Sequence, residues 1–184
     1  MTDTTQPKKK RVNGKVKGNT FENTIAKLLT KELQPLNFRR SPGSGAIVGG
    51  VNFELVGKMF GQDAMNIFVG DVVCINQSEV GKTFLHSVEC KFYKDADNFE
   101  SFVSGSANLY KWMKESMVDA AKTNKYPILI FKWNRTSNYL AILEKDRQVL
   151  LPNNTPNVVI SHKDLQISVF YLEDILKIKE FWFK

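Results

Sequence analysis

The triplet Glu89-Cys90-Lys91, together with Asp71 upstream, contains the residue types in this sequence that could do chemistry. Two neighbouring carboxylates repel each other, so their clustering is costly unless a proton or a cation lies between them. Oxygen ligands without histidine or thiolate favour Mg²⁺ or Mn²⁺. Asp71, Glu89 and the backbone carbonyl of Cys90 could hold such an ion. The Lys91 ammonium could then position or help deprotonate a water molecule and stabilise charge developing on a phosphate.

The segment around this triplet, residues 84–93, alternates in polarity as a β-strand does. Glu89 and Lys91 then share one face, and the opposite face carries the side chains expected to pack inward: Phe84, His86, Val88, Cys90 and Phe92. The polar residues 77–82 predict a hairpin centred near position 80. Antiparallel partners would then have numbers that sum to about 160, which places Asp71 opposite Glu89. Taken alone, the Glu-x-Lys spacing favours an exposed, salt-bridging strand face instead.

The elements that must position these residues are predicted from periodicity along the chain. An apolar helical face predicts a helix from Asn19 to Leu33, ended by Pro35. Further segments predict a short strand within 37–46, a helix over 108–124, strands at 126–133, 139–143, 158–160 and 167–171, and a C-terminal amphipathic piece. This order predicts an α/β fold, a single domain over residues 19–184 with a central mixed β-sheet flanked by helices. Residues 46–69, interrupted by several glycines, are predicted to be an insertion.

The positive charge of the chain is concentrated at its N-terminus. The formal net charge is +7, and residues 1–17 hold six Lys or Arg and one acid. We expect residues 1–18 to form a disordered basic arm, which could contact a polyanion such as nucleic acid or serve only solubility. Residues 7–12, PKKKRV, match a short nuclear import signal, which leaves a nuclear location open.

Composition excludes several classes of protein. The chain is 42% hydrophobic and 24% charged, which is typical of a globular domain. No apolar run has membrane-spanning length and the start has no secretory apolar region, so we expect a soluble, intracellular protein without a membrane partner. Cys74 and Cys90 are expected to be free, buried thiols. His86 and His162 are the only histidines, and His86 points with the apolar set, which argues against histidine-dependent hydrolysis.

Other residues near the triplet could bind metal or nucleic acid. Glu22 lies three residues after Asn19, so it could cap the helix or join an acidic site. The segment 39–44 could present guanidinium and backbone N–H groups to a phosphate, or be an ordinary strand end and tight turn. Its candidate DNA-binding residues are Arg39, Arg40, Ser41, Gly43 and Ser44. Tyr93 and Lys94 could line a DNA track, and residues 132–139 interleave basic and aromatic side chains.

Four blocks occur in a fixed order over roughly residues 17–133: KGNTFENTIAKLL, FRRSPGSGA, GDVV and ECKFYKD. In this ordered set the chain resembles the PD-(D/E)xK nuclease superfamily, and it is most similar to small archaeal and phage-encoded Holliday junction resolvases. The resemblance implies a restriction-endonuclease-like core. It also implies that Asp71, Glu89 and Lys91 are the acidic and lysine residues of the signature. Glu22 would complete the acidic cluster, and the serines of RSPGSG would lie beside it.

The resemblance implies a Mg²⁺- or Mn²⁺-dependent endonuclease that cuts branched DNA, with roles in recombination and repair. Two symmetric nicks at a two-fold branch point imply a homodimer in a prokaryotic or phage-infected cell. Two alternatives stay open: another PD-(D/E)xK nuclease of restriction or replication-repair type, and a non-catalytic DNA-binding module, against which the intact acids and lysine argue. The chain differs from the shortest relatives by 25 residues between 46 and 70. Asp63 in this segment rivals Asp71, which we favour because it opens a strand that can pair with Glu89.

Overall fold

The computed structural model describes residues 14–41 and 69–184 of the chain. Two elements precede the gap: α1 (Gly14–Glu32) and β1 (Phe38–Arg40). Those that follow it are β2 (Val72–Cys74), β3 (His86–Phe92), α2 (Phe99–Ser104), α3 (Asn108–Ala121), β4 (Tyr126–Lys132), β5 (Tyr139–Leu143), α4 (Glu144–Leu150), β6 (Val158–His162), β7 (Leu165–Tyr171), α5 (Leu172–Ile175) and α6 (Lys179–Trp182).

The strands of the described residues form one seven-stranded sheet in the order β1-β2-β3-β4-β5-β7-β6. β3 and β4 are parallel, and every other neighbouring pair is antiparallel. Parallel neighbours need a crossover connection, which α2 and α3 supply between β3 and β4. The predicted single α/β domain with a mixed sheet flanked by helices is therefore confirmed.

Helices cover both faces of this sheet, and each face has its own apolar core. On one side, α1, α5 and α6 pack against strand residues such as Val88 and Ile130. On the other side, α3 packs against residues such as Leu129 and Phe131. Successive residues of β4 thus alternate between the two cores, as the two-residue period of a strand requires. The site residues of β3 lie between these two layers.

The first helix is longer than its pattern indicated. It begins at Gly14, five residues before the predicted start at Asn19, so residues 14–18 are helical and do not belong to a disordered arm. Its buried residues include Phe21, Ile25 and Leu29, as the periodicity predicted. Residues 1–13 and 42–68 lie outside the described residues. The expected arm up to residue 13, the expected insertion and Asp63 therefore remain predictions.

The register between β2 and β3 agrees with the hairpin predicted from the sequence. Val72 pairs with Val88, so partner numbers sum to 160. Val88 and Cys90 lie in the core on the α1 side, which confirms the predicted inward face of β3. Glu89 pairs with Leu129 of the α3-side core. The charged face of β3 is therefore not an exposed strand face, because α3 lies over it.

Several smaller features were less readable from the sequence. The helices α2 and α4 were not predicted, and β6 and β7 extend beyond their predicted ranges. Cys74 and Cys90 are buried and free, as expected. His86 is buried, with Nε2 2.7 Å from the Phe181 carbonyl oxygen. Among the described helices, none is both long and apolar enough to cross a membrane.

Candidate active site

The position of Asp71 is fixed by the backbone on either side of it. Gly70 has φ of 92°, and a Cβ there would lie 2.9 Å from the Val88 carbonyl oxygen, so the chain can approach β3 this closely only with glycine. The Asp71 N–H donates to the Val88 carbonyl at 2.8 Å. Its carboxylate Oδ2 accepts from the Cys90 N–H at 2.9 Å. Both the backbone and the side chain of Asp71 are thus anchored to β3.

The first residue after β1 is tied to the same point. The Ser41 N–H donates to the Asp71 carbonyl at 2.8 Å, and Ser41 is buried. Arg40, the preceding residue, pairs with Val72 across the β1–β2 ladder. The two ends of the chain segment 42–70 therefore meet beside Asp71.

Asp71 is a buried acid in an unfavourable environment. Its residue is 8% exposed. Burial raises the pKa of its carboxyl to about 7, with repulsion from Glu89 and Glu22 adding to the rise and the Cys90 N–H opposing it. Among the described residues, no Lys, Arg or His side chain forms an ion pair with Asp71. Lys91 offsets part of this rise by attraction at longer range, but burial and the two glutamates outweigh it and leave the Asp71 carboxylate unfavourable.

Glu89 and Lys91 form a close ion pair on the α3-side face of β3. Lys91 Nζ lies 2.6 Å from Glu89 Oε1, and the Glu89 side chain is 14% exposed. Burial raises the pKa of Glu89, and Lys91 only partly offsets this. Burial disfavours the ammonium of Lys91, but attraction to Glu89, Asp71 and Glu115 outweighs it and raises its pKa. Lys91 is therefore a charged amine held at the acidic site.

Glu22 does not cap α1. The helix begins at Gly14, so neither Asn19 nor Glu22 is at its end, and the capping alternative is wrong. Both residues instead bind Arg40: Glu22 Oε2 accepts from the Arg40 Nε–H in an ion pair, and Asn19 Oδ1 accepts from Nη2 at 3.1 Å. Glu22 is buried and contributes to the raised pKa of Asp71. It thus acts on the Asp71 carboxylate, and its ion pair with Arg40, the last residue of β1, links α1 to β1.

The remaining predicted site residues are distributed around this centre. Arg39 lies exposed on β1, and Cys90 contributes its backbone N–H while its thiol is buried in the core. Tyr93 and Lys94 line a groove beside the triplet. Gly43 and Ser44 lie outside the described residues, so their contacts with phosphate remain predictions.

Sequence reasoning missed an acidic contribution from α3. Glu115 Oε2 lies 3.8 Å from Lys91 Nζ, and Asp119 and Glu115 both raise the pKa of Glu89. The four-residue spacing of these acids on one helix face was the available signal. It could not be connected to β3 without knowing that α3 covers this face of the strand.

The acidic residues of the site are chemically suited to a divalent cation, although their side chains are not arranged as a complete set of metal ligands. Within residues 14–41 and 69–184, no group of three or more His, Cys, Asp or Glu side chains is placed to hold a metal ion. Glu22 and Glu89 are each engaged by a cationic side chain, Arg40 and Lys91. Asp71, which directly precedes β2, and Glu89 of β3 supply hard oxygen atoms, and the charge of Asp71 is only partly offset by Lys91. Such oxygens suit Mg²⁺ or Mn²⁺.

Comparison with known proteins identifies the family of the chain. A family model described as "phage putative PDDEXK endonuclease" matches residues 13–182. Protein D14 of Escherichia phage T5 is 30% identical over 164 residues, covering 88% of this chain and 91% of that protein. No solved structure matches the chain. Nucleases of the PD-(D/E)xK class generally use divalent metals such as Mg²⁺. With nearly its whole length matched, the chain belongs to the phage PDDEXK endonuclease family.

Proposed function

We propose that this protein is a Mg²⁺- or Mn²⁺-dependent DNA endonuclease that hydrolyses phosphodiester bonds at branched DNA, as Holliday junction resolvases do. One observation supports the metal-dependent chemistry above all others. Asp71, whose pKa is raised to about 7 with Glu89 among the causes, directly precedes the Val72–Val88 pair of β2 and β3, and no described side chain forms an ion pair with it. A buried acid pair of this kind is stabilised when a cation binds between its members.

Each residue of the centre has a part in this proposal. Asp71, Glu89 and the Cys90 carbonyl would hold the divalent cation, and Glu22 would complete the acidic cluster. When bound, the cation would lower the pKa of a water molecule and neutralise charge on the phosphate. Lys91, 2.6 Å from Glu89, would orient the attacking water or stabilise the charge that develops on the phosphate oxygens.

DNA would be held mainly through its backbone. Arg39 and Arg40 at the end of β1, with Ser41, Gly43 and Ser44, would contact phosphates near the cut. Affinity would then fall as salt rises, because binding releases counterions from the DNA. Symmetric cutting of a four-way junction would require two copies of the chain related by a two-fold axis.

The test is a nicking assay on a labelled four-way junction with Mg²⁺ or Mn²⁺, run beside a linear duplex of the same sequence. Wild type is expected to nick the junction, and Asp71→Asn is expected to bind it without nicking. Asp71→Asn is nearly isosteric and can still accept the Cys90 hydrogen bond, so its loss of activity would report the missing charge. Sedimentation of the protein–junction complex would give the number of chains bound.

The possible results separate the alternatives. Nicks placed symmetrically across the branch, with little cutting of the linear duplex, support the junction-selective enzyme. Equal cutting of both substrates would leave a PDDEXK nuclease of another type. Binding without any nicking by wild type, with either metal, would reject the nuclease and leave a DNA-binding module.

A further inference from the structure

A groove of about 830 Å³ opens directly beside the catalytic triplet, between the start of α1 and the turn that joins β4 to β5. Cys90 and Lys91 form one end of it, so anything in the groove is next to the proposed site of cleavage. Three of its described lining residues are lysines, Lys17, Lys91 and Lys94, and none is acidic. This strip of positive charge lies beside a cluster of buried acids, so it favours a polyanion that must be brought close to a metal.

Lys17 is held in place at the wall of this groove. Its Nζ donates to the Asn134 Oδ1 at 2.8 Å and lies 3.7 Å from the centroid of the Phe92 ring. These contacts hold a flexible side chain in one orientation, which reduces the entropy lost when it binds a phosphate. Among the described residues, Lys94 forms an ion pair with Asp95 at 3.6 Å, and both side chains are 80% exposed. Such a pair contributes little, so Lys94 can turn to a phosphate at small cost.

Tyr93 gives the groove an aromatic face. The residue is 44% exposed, although its ring lies 4.6 Å from that of the buried Trp112. The contact with Trp112 orders the tyrosine ring, and the residue keeps exposed surface in the groove. A base that stacked on this ring would meet an already ordered partner. Aromatic rings combined with a basic groove are the usual means of holding unpaired nucleotides.

The size of the groove favours a single strand over a duplex. Its volume is within the range of about 300–1,000 Å³ typical of sites that enclose a small ligand. One turn of B-form duplex is about 34 Å long, and its bases are stacked on one another, so they cannot also stack on Tyr93. An unpaired strand of a few nucleotides has both the slenderness and the free base faces that this groove can use.

We propose that this groove receives an unpaired DNA strand next to the cut, with phosphates on Lys17 and Lys94 and one base stacked on Tyr93. The inference rests on the proposed nuclease function, and it names the substrate class of that site. The preferred substrate has unpaired nucleotides beside the scissile phosphate, as the open centre of a branch or a displaced flap does.

The test measures binding separately from cutting. Fluorescence anisotropy of a labelled oligothymidylate of about 12 nucleotides is recorded in EDTA at several salt concentrations, with a linear duplex as the second probe. The variants are Lys17→Gln, Tyr93→Leu and Tyr93→Phe. The matched control is Lys31→Gln. Lys31 is on the same helix, its side chain is 80% exposed, and it is not among the described residues that line the groove. Thermal melting of each variant establishes that it is folded.

The proposal predicts a distinct result for each variant on the oligothymidylate. Lys17→Gln makes the slope of log affinity against log salt shallower by about 0.7, the value of one single-strand phosphate contact. Tyr93→Leu weakens binding by at least about fivefold, since stacking of one base contributes about 1–3 kcal/mol. Tyr93→Phe retains the aromatic face and wild-type affinity, and Lys31→Gln binds like wild type.

Two results would overturn the inference. One is single-strand affinity that is the same for Lys17→Gln, Tyr93→Leu and wild type. The other is an equal loss of affinity for the linear duplex on Tyr93→Leu, which would mean that the ring does not contact an unpaired base. Because binding is measured without metal, failure of the nuclease proposal appears separately, as the absence of nicking by wild type in Mg²⁺.

Discussion

Glu89 and Glu144 are the same residue type with the same side-chain exposure, 14%, and their carboxyls titrate in opposite directions. Burial raises the pKa of Glu89. Hydrogen bonds from Arg147 lower the pKa of Glu144 to about 2, helped by Ser168 and Gln148. Glu144 opens α4 near the molecular surface, where its own partners cover it. Glu89 lies between the sheet and α3, so that more distant parts of the protein also keep water away from its carboxyl.

The difference shows what separates a structural carboxylate from one prepared for chemistry. Glu144 accepts from Arg147 Nη2 at 2.5 Å, from its Nε at 3.1 Å, from Gln148 at 3.2 Å and from the Ser168 hydroxyl. These donors satisfy its lone pairs and its charge. Glu89 has Lys91, but it also has acidic neighbours, and the nearby Asp71 forms no ion pair with any described side chain. A further positive charge would therefore stabilise the region around Glu89 and Asp71, whereas the region around Glu144 already has its charge satisfied.

The largest difference between the two regions should appear in the nicking rate when Glu89 and Glu144 are neutralised separately. The proposed function makes Glu89 a metal ligand, so Glu89→Gln is expected to lower the junction-nicking rate by about 10²–10⁴-fold, as loss of several kcal/mol of transition-state stabilisation would. Glu144→Gln should nick at close to the wild-type rate, since its carboxylate has no part in the site. Single-turnover nicking with Mg²⁺ measures both. Equal losses in the two variants would remove the distinction between these regions.

The next effect concerns stability without metal. In EDTA at pH 8, above the pKa of about 7 for Asp71, Asp71→Asn should be more stable than wild type by roughly 2–4 kcal/mol, because a buried charge that Lys91 only partly offsets is removed. Urea unfolding measures this difference. Added Mg²⁺ should raise the melting temperature of wild type and leave that of Asp71→Asn nearly unchanged. A less stable Asp71→Asn in EDTA would contradict the account.

A smaller effect tests how Gly70 positions Asp71 against β3. Gly70→Ala should destabilise the protein by about 2–3 kcal/mol, since its φ is positive and its Cβ would meet the Val88 carbonyl. Gly81→Ala is the matched control, because Gly81 also has positive φ, 63°, but a Cβ there meets nothing within 4 Å. The control should cost only about 1 kcal/mol. If the two variants unfold at the same urea concentration, close approach to β3 does not matter.

The smallest effect concerns Glu144, whose carboxylate is fully hydrogen-bonded. Glu144→Gln should lower the free energy of unfolding at pH 7 by about 1–2 kcal/mol through weaker hydrogen bonds. The folded pKa of about 2 lies below the ordinary 4.5, so the stabilisation from Glu144 is complete above pH 4.5 and is lost as pH falls towards 2. The difference between variant and wild type should therefore shrink over that range in urea titrations. A difference that grew on acidification would have the wrong sign.

Local patterns were sufficient for the arrangement around β3. The polar turn near residue 80 gave the register that Val72 and Val88 show, and alternation gave the two faces of the strand. Both features depend on residues close in sequence. The helix predicted over residues 108–124 is present as α3, with Leu109, Trp112 and Met113 among its buried residues.

Contacts between distant segments could not be predicted in this way. The Glu22–Arg40 ion pair exists because α1 packs on β1, and the approach of Glu115 to Lys91 depends on a parallel crossover that puts α3 above β3. The sequence around a charged residue does not indicate which distant residue will be its ion-pair partner. The start of α1 at Gly14 was hidden for another reason: its first turn lacks the apolar spacing that revealed the rest of the helix.

The hydrogen bond from Ser41 to the Asp71 carbonyl has a consequence for how proteins of this architecture can vary. It joins the two ends of the intervening segment, and the number of residues between them enters through the entropy of closing that loop. Doubling that number would cost only about 0.6 kcal/mol in closure entropy. Loop closure therefore sets little limit on the length of this segment, whereas Gly43 and Ser44 within it stay candidates for contacting phosphate.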